Sequence, residues 1–371
     1  MKELIMLIIN LFSFMNLKNK TGTNIENKSI SLTKKSLTQG EISNLLNIDD
    51  YNIVHYNILN GEITYENFDE NNYVKRSRTL SSISTLEDLK LSGNNIIINK
   101  IVDDDNNEIL YSEGYNPNNE NKDNEIALLS EGGIYGEDDR TLIENSNTYP
   151  YFPTGKINVL RKSVAGEPVV ANTGTGFLEG PNVLVTAAHY LFEDSTDDGV
   201  NNPTFIDEII FYPGINGETK PYTVKGVSIS IPREYYEEED LNYDWAVIEL
   251  ECDVGNYTGW YGKIGNWYEY NSDVYSYGYP VNQNNQMYYA PGKIIGKTNY
   301  IYKTTVDFTE GQSGSPLFMT GSDGNTYVCG IMSHDFGIGN LEFHISATKF
   351  NTFVFHYLNS YVASNIQWPT C

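Results

Sequence analysis

The 371-residue sequence predicts an all-β protein of barrel type, closed by one helix at its C-terminal end. Three observations carry this expectation. From residue 157 onward, short apolar or alternating runs recur with turn signals between them, which fits barrels better than alternating strand and helix units. Aromatic residues make up 13% of the chain, with 29 tyrosines, as suits half-buried pleated surfaces. Only near the C-terminus, over residues 348–361, do Phe350, Val354 and Leu358 recur at helical spacing.

The strands are expected over residues 157–160, 205–211, 227–231, 245–250, 274–277, 294–295, 317–318 and 327–332. The last two are joined through Ser322-Asp323-Gly324-Asn325, a strong hairpin turn. The first third differs in texture. Residues 1–20 hold Met1-Lys2-Glu3 and an apolar run over 4–15, shorter than the ~20 residues that a membrane span needs. The run resembles the apolar region of a signal peptide, although no A-x-A-like cleavage pattern follows; a buried N-terminal helix is the alternative. Residues 21–132 are rich in Asn, Asp, Glu, Ser and Ile. Within them, Thr38 and Glu41 stand at capping-box spacing for a short helix over 39–48. Apolar runs on either side of the acidic stretch 103–107 predict a hairpin, and residues 116–125 have almost nothing to bury and read as an exposed linker. A small module and a cuttable linker ahead of a larger domain is the layout of a propeptide, the plainer alternative being a spacer with no inhibitory role.

Lys and Arg number 24 against 49 Asp and Glu, a net charge of −25. That charge argues against nucleic acid and anionic membrane surfaces as partners and favours an extracellular setting. Of the three cysteines, Cys252 and Cys329 fall in expected strands and read most simply as buried thiols, a pairing that involves Cys371 staying open. No C-x-x-C, His-rich pair or regular calcium loop points to a metal, and no cofactor is expected.

The chemistry-bearing stretch is Glu310-Gly311-Gln312-Ser313-Gly314-Ser315-Pro316. Glycines on both sides allow a tight turn with the Ser313 hydroxyl exposed, and the amides of Gly311 and Ser313 are placed to hold a developing oxyanion. Upstream, an apolar strand runs through Thr186-Ala187-Ala188 into His189, whose ring suits a general base. Between them Asp244 opens the apolar run 245–250. The chain order His189, Asp244, Ser313 is that of double-barrel serine peptidases, not of subtilisins or α/β-hydrolases.

Residues 133–371 therefore resemble a secreted bacterial glutamyl endopeptidase within the trypsin-like serine peptidases. The segments that carry the resemblance are 136–141 (Gly-Glu-Asp-Asp-Arg-Thr), Tyr149-Pro150-Tyr151, 180–189, Asn242-Tyr243-Asp244, Gly278-Tyr279-Pro280 and 311–316. The resemblance implies a chymotrypsin-like double six-stranded β-barrel with a C-terminal helix, preceded by a small propeptide module. It implies a His189, Asp244, Ser313 triad, Ser333 as a partner of Asp244, and a mature start near Gly133 or Ile134. Cleavage after Glu131 would suit a glutamyl-type activator or autocatalysis. It implies secretion, protein or peptide substrates, the chain's own propeptide as a partner, and a monomer. Where that family often has Cys after the catalytic His, this chain has Tyr190. Gln312 stands where trypsin-type zymogens place an Asp for the new N-terminal amine, so activation should depend on release of the prosegment.

The substrate pocket departs from the family. Met332 and Phe308 occupy positions where glutamyl endopeptidases place a His and a Thr that help bind a carboxylate, and neither can donate a hydrogen bond. Ser333 and His334 follow, His334 as pocket wall. Two preferences for the residue before the cut stay open, Glu from the family and a large apolar side chain from these substitutions. The competing function is a non-catalytic secreted binding or adhesion protein on a protease scaffold, against which stand the intact His189, Asp244 and Ser313.

Overall fold

The structure, a computed structural model, describes residues 31–32, 52–69, 99–102, 108–117, 134–135, 137–162, 167–194, 203–321, 324–336, 344–362 and 370–371. The apolar run 4–15, the helix expected over 39–48, the acidic turn 103–107 and the cleavage region 130–133 lie outside these residues.

A two-residue strand at Ser31–Leu32, which pairs with residues 63–64, is followed by two hairpins. One is β1 (Ile53–Asn57) with β2 (Ile63–Glu66), and the other is β3 (Asn99–Val102) with β4 (Glu108–Ser112), the latter where the sequence predicts it. The first barrel follows, from β5 (Thr154–Lys162), β6 (Pro168–Leu178), β7 (Val183–Thr186), β8 (Glu208–Pro213), β9 (Val224–Pro232) and β10 (Ala246–Leu250). These pair antiparallel in the ring β5-β6-β7-β10-β9-β8, and β8 closes on β5. The run expected as one strand over 205–211 is broken, with Pro203–Phe205 and β8 as separate strands.

A short strand β11 (Lys263–Gly265) leads into the second barrel. Its strands are β12 (Asp273–Gly278), β13 (Met287–Lys297), β14 (Ile301–Thr304), β15 (Pro316–Thr320), β16 (Thr326–Phe336) and β17 (His344–Lys349). They close in the antiparallel ring β12-β13-β14-β17-β16-β15. The sequence prediction of two six-stranded barrels and a closing helix therefore holds. The helix α1 spans Thr352–Val362, so its expected first turn is instead the end of β17. Thr348 stays extended because its hydroxyl donates to the Asp244 carbonyl at 3.0 Å, and Asn351 starts the helix by accepting from the Val354 N–H at 3.0 Å.

Alternation along the strands sends one side chain in two into each barrel. Ile157, Val159, Phe177, Val185, Ile209, Phe211, Ile229 and Ile248 fill the first core at 0% exposure. Ile294, Tyr302, Val306, Leu317, Cys329 and Ile345 fill the second. Each such aliphatic side chain contributes about 1.5–3 kcal/mol by leaving water.

Two covalent and ionic ties matter beyond the ladders. Cys252 is disulfide-bonded to Cys371 with Cα atoms 5.2 Å apart, which corrects the reading of Cys252 as a free thiol; the pairing joins residues 119 apart and has no local signature. Cys329 is free and buried, as expected. Lys263 on β11 donates to Glu179, just after β6, at 2.6 Å, and both side chains are almost fully buried. Lys263→Met would strand the Glu179 charge in the interior. It should lower unfolding stability by about 3–5 kcal/mol, read as an earlier urea midpoint, whereas joint replacement of Glu179 and Lys263 by apolar residues should recover most of the loss.

Candidate active site

Asp244 is fully buried between a short turn over Leu241–Tyr243 and β10. Its Oδ1 accepts from the backbone N–H groups of Ala188 and His189 at 2.8 and 2.9 Å. Its Oδ2 accepts from His189 Nδ1 at 2.8 Å and from the Ser333 hydroxyl. Burial opposes the charge, but the His189 ring and these hydrogen bonds outweigh it and hold the carboxyl down at about 2. An ionised carboxylate only accepts, so the His189 proton sits on Nδ1 and Nε2 is left as the basic nitrogen. Burial lowers the His189 pKa, yet Asp244 more than compensates, and the ring is raised above the ordinary histidine value. The side chain stays 30% exposed, open to an incoming group.

Ser333 lies at a bulge in β16, between Met332 paired with Ala347 and His334 paired with Ser346. The extra residue turns its hydroxyl inward to Asp244. Its one proton goes to the carboxylate, so the His334 Nδ1–H must donate to the Ser333 oxygen, at 2.6 Å.

The turn around Ser313 is held from several sides. Gly311 and Gly314 have φ of +92° and +85°, and a Cβ on Gly314 would lie 2.1 Å from the Thr175 carbonyl oxygen. Only glycine permits that approach. The Ser313 carbonyl accepts from the Thr175 N–H at 2.8 Å, and the Gly314 N–H donates to the Met332 carbonyl at 2.8 Å. This places the first-barrel strands and the bulged strand around the serine. Ser313 Oγ points to the Ser333 carbonyl at 3.5 Å and, among the described residues, makes no hydrogen bond to His189. Such bonds commonly tighten only when substrate binds.

Two peptide planes around Ser313 are oriented through their carbonyls. The Glu310 carbonyl accepts from the Val281 N–H at 2.9 Å, and the Gln312 carbonyl accepts from the Ser315 N–H at 3.0 Å and hydroxyl at 2.6 Å. A trans peptide sends its N–H the opposite way. The Gly311 and Ser313 N–H groups are accordingly left without an acceptor among the described residues. Thr175 Oγ1 also donates to the Gly311 carbonyl at 2.7 Å.

Gln312 is buried, and its Oε1 accepts from Arg140 Nη1 at 2.7 Å and from the Thr309 N–H at 3.0 Å. Arg140 is itself buried and paired with Asp138 at 2.8 Å. Arg140 and Ser315 lie within sequence motifs that do not disclose these roles, and Thr175 and Val281 carry no sequence signal, because their contribution depends on which carbonyl they meet. Tyr190, noted only as a missing cysteine, is buried and hydrogen-bonded to Thr186 and, at 3.2 Å, to the Thr175 carbonyl.

The residues expected to form a substrate pocket are placed unevenly. Met332 and Phe308 are buried within the second core, while His334 is half-buried beside Ser333. Backbone contacts bring Met332 to the serine turn, since its N–H donates to the Ser315 carbonyl at 2.8 Å.

A family model described as a trypsin-like peptidase domain matches residues 174–331, which include His189, Asp244 and Ser313. The chain is 29% identical over 236 residues to a Bacillus subtilis protein named extracellular metalloprotease, covering 61% of this chain and 70% of the relative. It is 27% identical over 245 residues to the Bacillus licheniformis glutamyl endopeptidase, covering 63% and 71%. A solved structure of a Glu endopeptidase in complex with MPD aligns with a TM-score of 0.53 at 19% identity, over 63% of this chain and all of that one. The first relative's name implies a metal, but no group of three or more His, Cys, Asp or Glu stands together among the described residues, so these residues do not fit one.

The raised His189 pKa is testable directly. Because Asp244 favours the protonated ring, the NMR titration of His189 should have its midpoint above about 6.5. Asp244→Asn should bring it down to or below that value; no change would show that the carboxylate is not what holds the proton.

Proposed function

We propose a full reaction path for this chain, a trypsin-fold serine endopeptidase of the glutamyl endopeptidase-like kind that acts on proteins or peptides. Ser313 Oγ attacks the scissile carbonyl carbon while His189 Nε2 takes its proton. The tetrahedral oxyanion is received by the Gly311 and Ser313 amides. His189 returns the proton to the leaving amine as the C–N bond breaks, and an acyl-enzyme forms. Water then attacks in the same way, and its proton passes to His189 and on to Ser313 as the acid departs. Asp244 holds the ring tautomer and stabilises the imidazolium. The observation that carries this reading is the pair of unbonded amides beside a serine, within a site where a buried carboxylate fixes the imidazole.

For the residue before the cut we infer a large apolar side chain. Met332 and Phe308 stand where a carboxylate would need donors, and Arg140 is already engaged with Asp138 and Gln312. Glutamate is the second reading, favoured by the printed name of the Bacillus licheniformis relative. We further infer a precursor: residues 1–20 direct export, and residues 21–132 form a prosegment parted from 133–371 by a cut after Glu131, close to Gly133. The apolar run 4–15, the linker composition and the name of the Bacillus subtilis relative support this. Among the described residues no helix is long and apolar enough to cross a membrane.

Mass-spectrometric mapping of new termini in a denatured protein mixture tests the reaction. Wild type should produce them and Ser313→Ala should not; equal cutting by both would sink the assignment of Ser313. Large apolar residues should dominate the position before the cut, and a majority of glutamate would instead establish the second reading. Ser315→Ala frees one of two donors on the Gln312 carbonyl and loosens one oxyanion amide. It should lower kcat about 10-fold or more with KM little changed, and a rise in KM alone would place Ser315 in substrate binding.

A further inference from the structure

We propose that the two N-terminal hairpins, β1 with β2 and β3 with β4, remain bound to the protease domain after the linker is cut, as strand-donating elements rather than a released inhibitor. The proposal rests on the precursor reading above and changes what the cut accomplishes.

The first hairpin adds to the part of β9 that runs beyond its pairing with β8 in the closed first barrel. β9 pairs with β8 only at residues 224–225, and beyond that point β1 pairs with it, from Asn57 opposite Ser228 to Ile53 opposite Pro232. Ile53, Val54, Tyr56 and Tyr65 are almost wholly buried and belong to the same core as the barrel side chains. His55 bridges the two parts, with Nδ1 2.7 Å from the Ser230 hydroxyl and Nε2 2.9 Å from Glu66. Phe68 sits edge-on to Phe353 and Tyr357 of α1, at 5.6 and 5.1 Å between ring centroids. Both rings pack against Trp245, the residue after Asp244. The prosegment thus backs the wall behind the buried carboxylate.

The second hairpin attaches at a separate place. β4 pairs with β11 from Leu110 opposite Gly265 to Ser112 opposite Lys263. Tyr115 and Trp260 exchange two backbone hydrogen bonds, at 2.8 and 3.0 Å, and their rings lie 4.5 Å apart. Gly259 has φ +83°, and a Cβ there would lie 2.3 Å from the Tyr115 carbonyl oxygen. The protease-domain backbone is shaped to receive the prosegment chain at this point.

Two attachments at different places resist release together, since loss of one leaves the other as a tether at high effective concentration. Dissociation would bare a row of apolar side chains and the edges of β9 and β11. The expected cut, after Glu131 and giving a start near Gly133 or Ile134, lies outside both hairpins. Among the described residues, no prosegment residue hydrogen-bonds to His189, Gly311 or Ser313.

The test uses the full chain carrying Ser313→Ala, with the recognition sequence of a foreign protease in place of residues 118–123. After cutting, both fragments should elute together in native size-exclusion chromatography, at equal stoichiometry, and part only in denaturant. Amide exchange at 228–231 should stay as slow as in the uncut chain. Separate elution, or exchange at 228–231 that becomes fast on cutting, would overturn the proposal. Val54→Asp should let the cut fragments part at a lower urea concentration than the parent, and an unchanged concentration would equally refute docking through β1. Because the serine is absent, these outcomes do not depend on catalysis. Co-elution beside a wild type that hydrolyses nothing would remove the protease reading alone, and separation beside an active wild type would remove this proposal alone.

Discussion

One carboxylate taken fully out of water organises the cleft. An unpaired charge at the depth of Asp244 would cost several kcal/mol. It is offset by four donors: two backbone amides at the end of β7, the His189 ring and the Ser333 hydroxyl. Three of those donors come from the first barrel and the fourth from the second. The charge is therefore also a seam, and the barrels are held in the register at which it is satisfied. The same bonds set the His189 tautomer, so fold and chemistry share one constraint.

The serine turn shows the same economy. Its amides are oriented indirectly, through carbonyls that Val281 and Ser315 hold. The first barrel reaches across with Thr175, the second with Met332, and the segment before β5 with Arg140. Each of these acts on the backbone of the turn or on Gln312, not on the serine hydroxyl.

Much of this was legible in the sequence because the signals are local. His189, Asp244 and Ser313 each sit beside an apolar strand, small residues crowd the first and glycines flank the last. The hairpin at 99–112 has its apolar runs on either side of an acidic turn. What was hidden depends on long-range partners. The Cys252 to Cys371 bond joins distant residues, and Thr348 reads as helix until its hydroxyl meets the Asp244 carbonyl. β1 and β2 alternate too weakly to stand out, since much of their burial comes from β9 and α1, more than a hundred residues further on. Ser333 was marked by resemblance, but the bulge that aims it has no signature of its own.

The hold of Arg140 on Gln312 bears on whether the nucleophile turn depends on where the backbone begins. When a terminal amine organises a nucleophile turn, the first residue has to be one residue and no other, and processing must be faithful. A guanidinium in mid-chain is indifferent to where the backbone ahead of it stops. A ragged start to the backbone ahead of Arg140 would leave this tie to the turn intact.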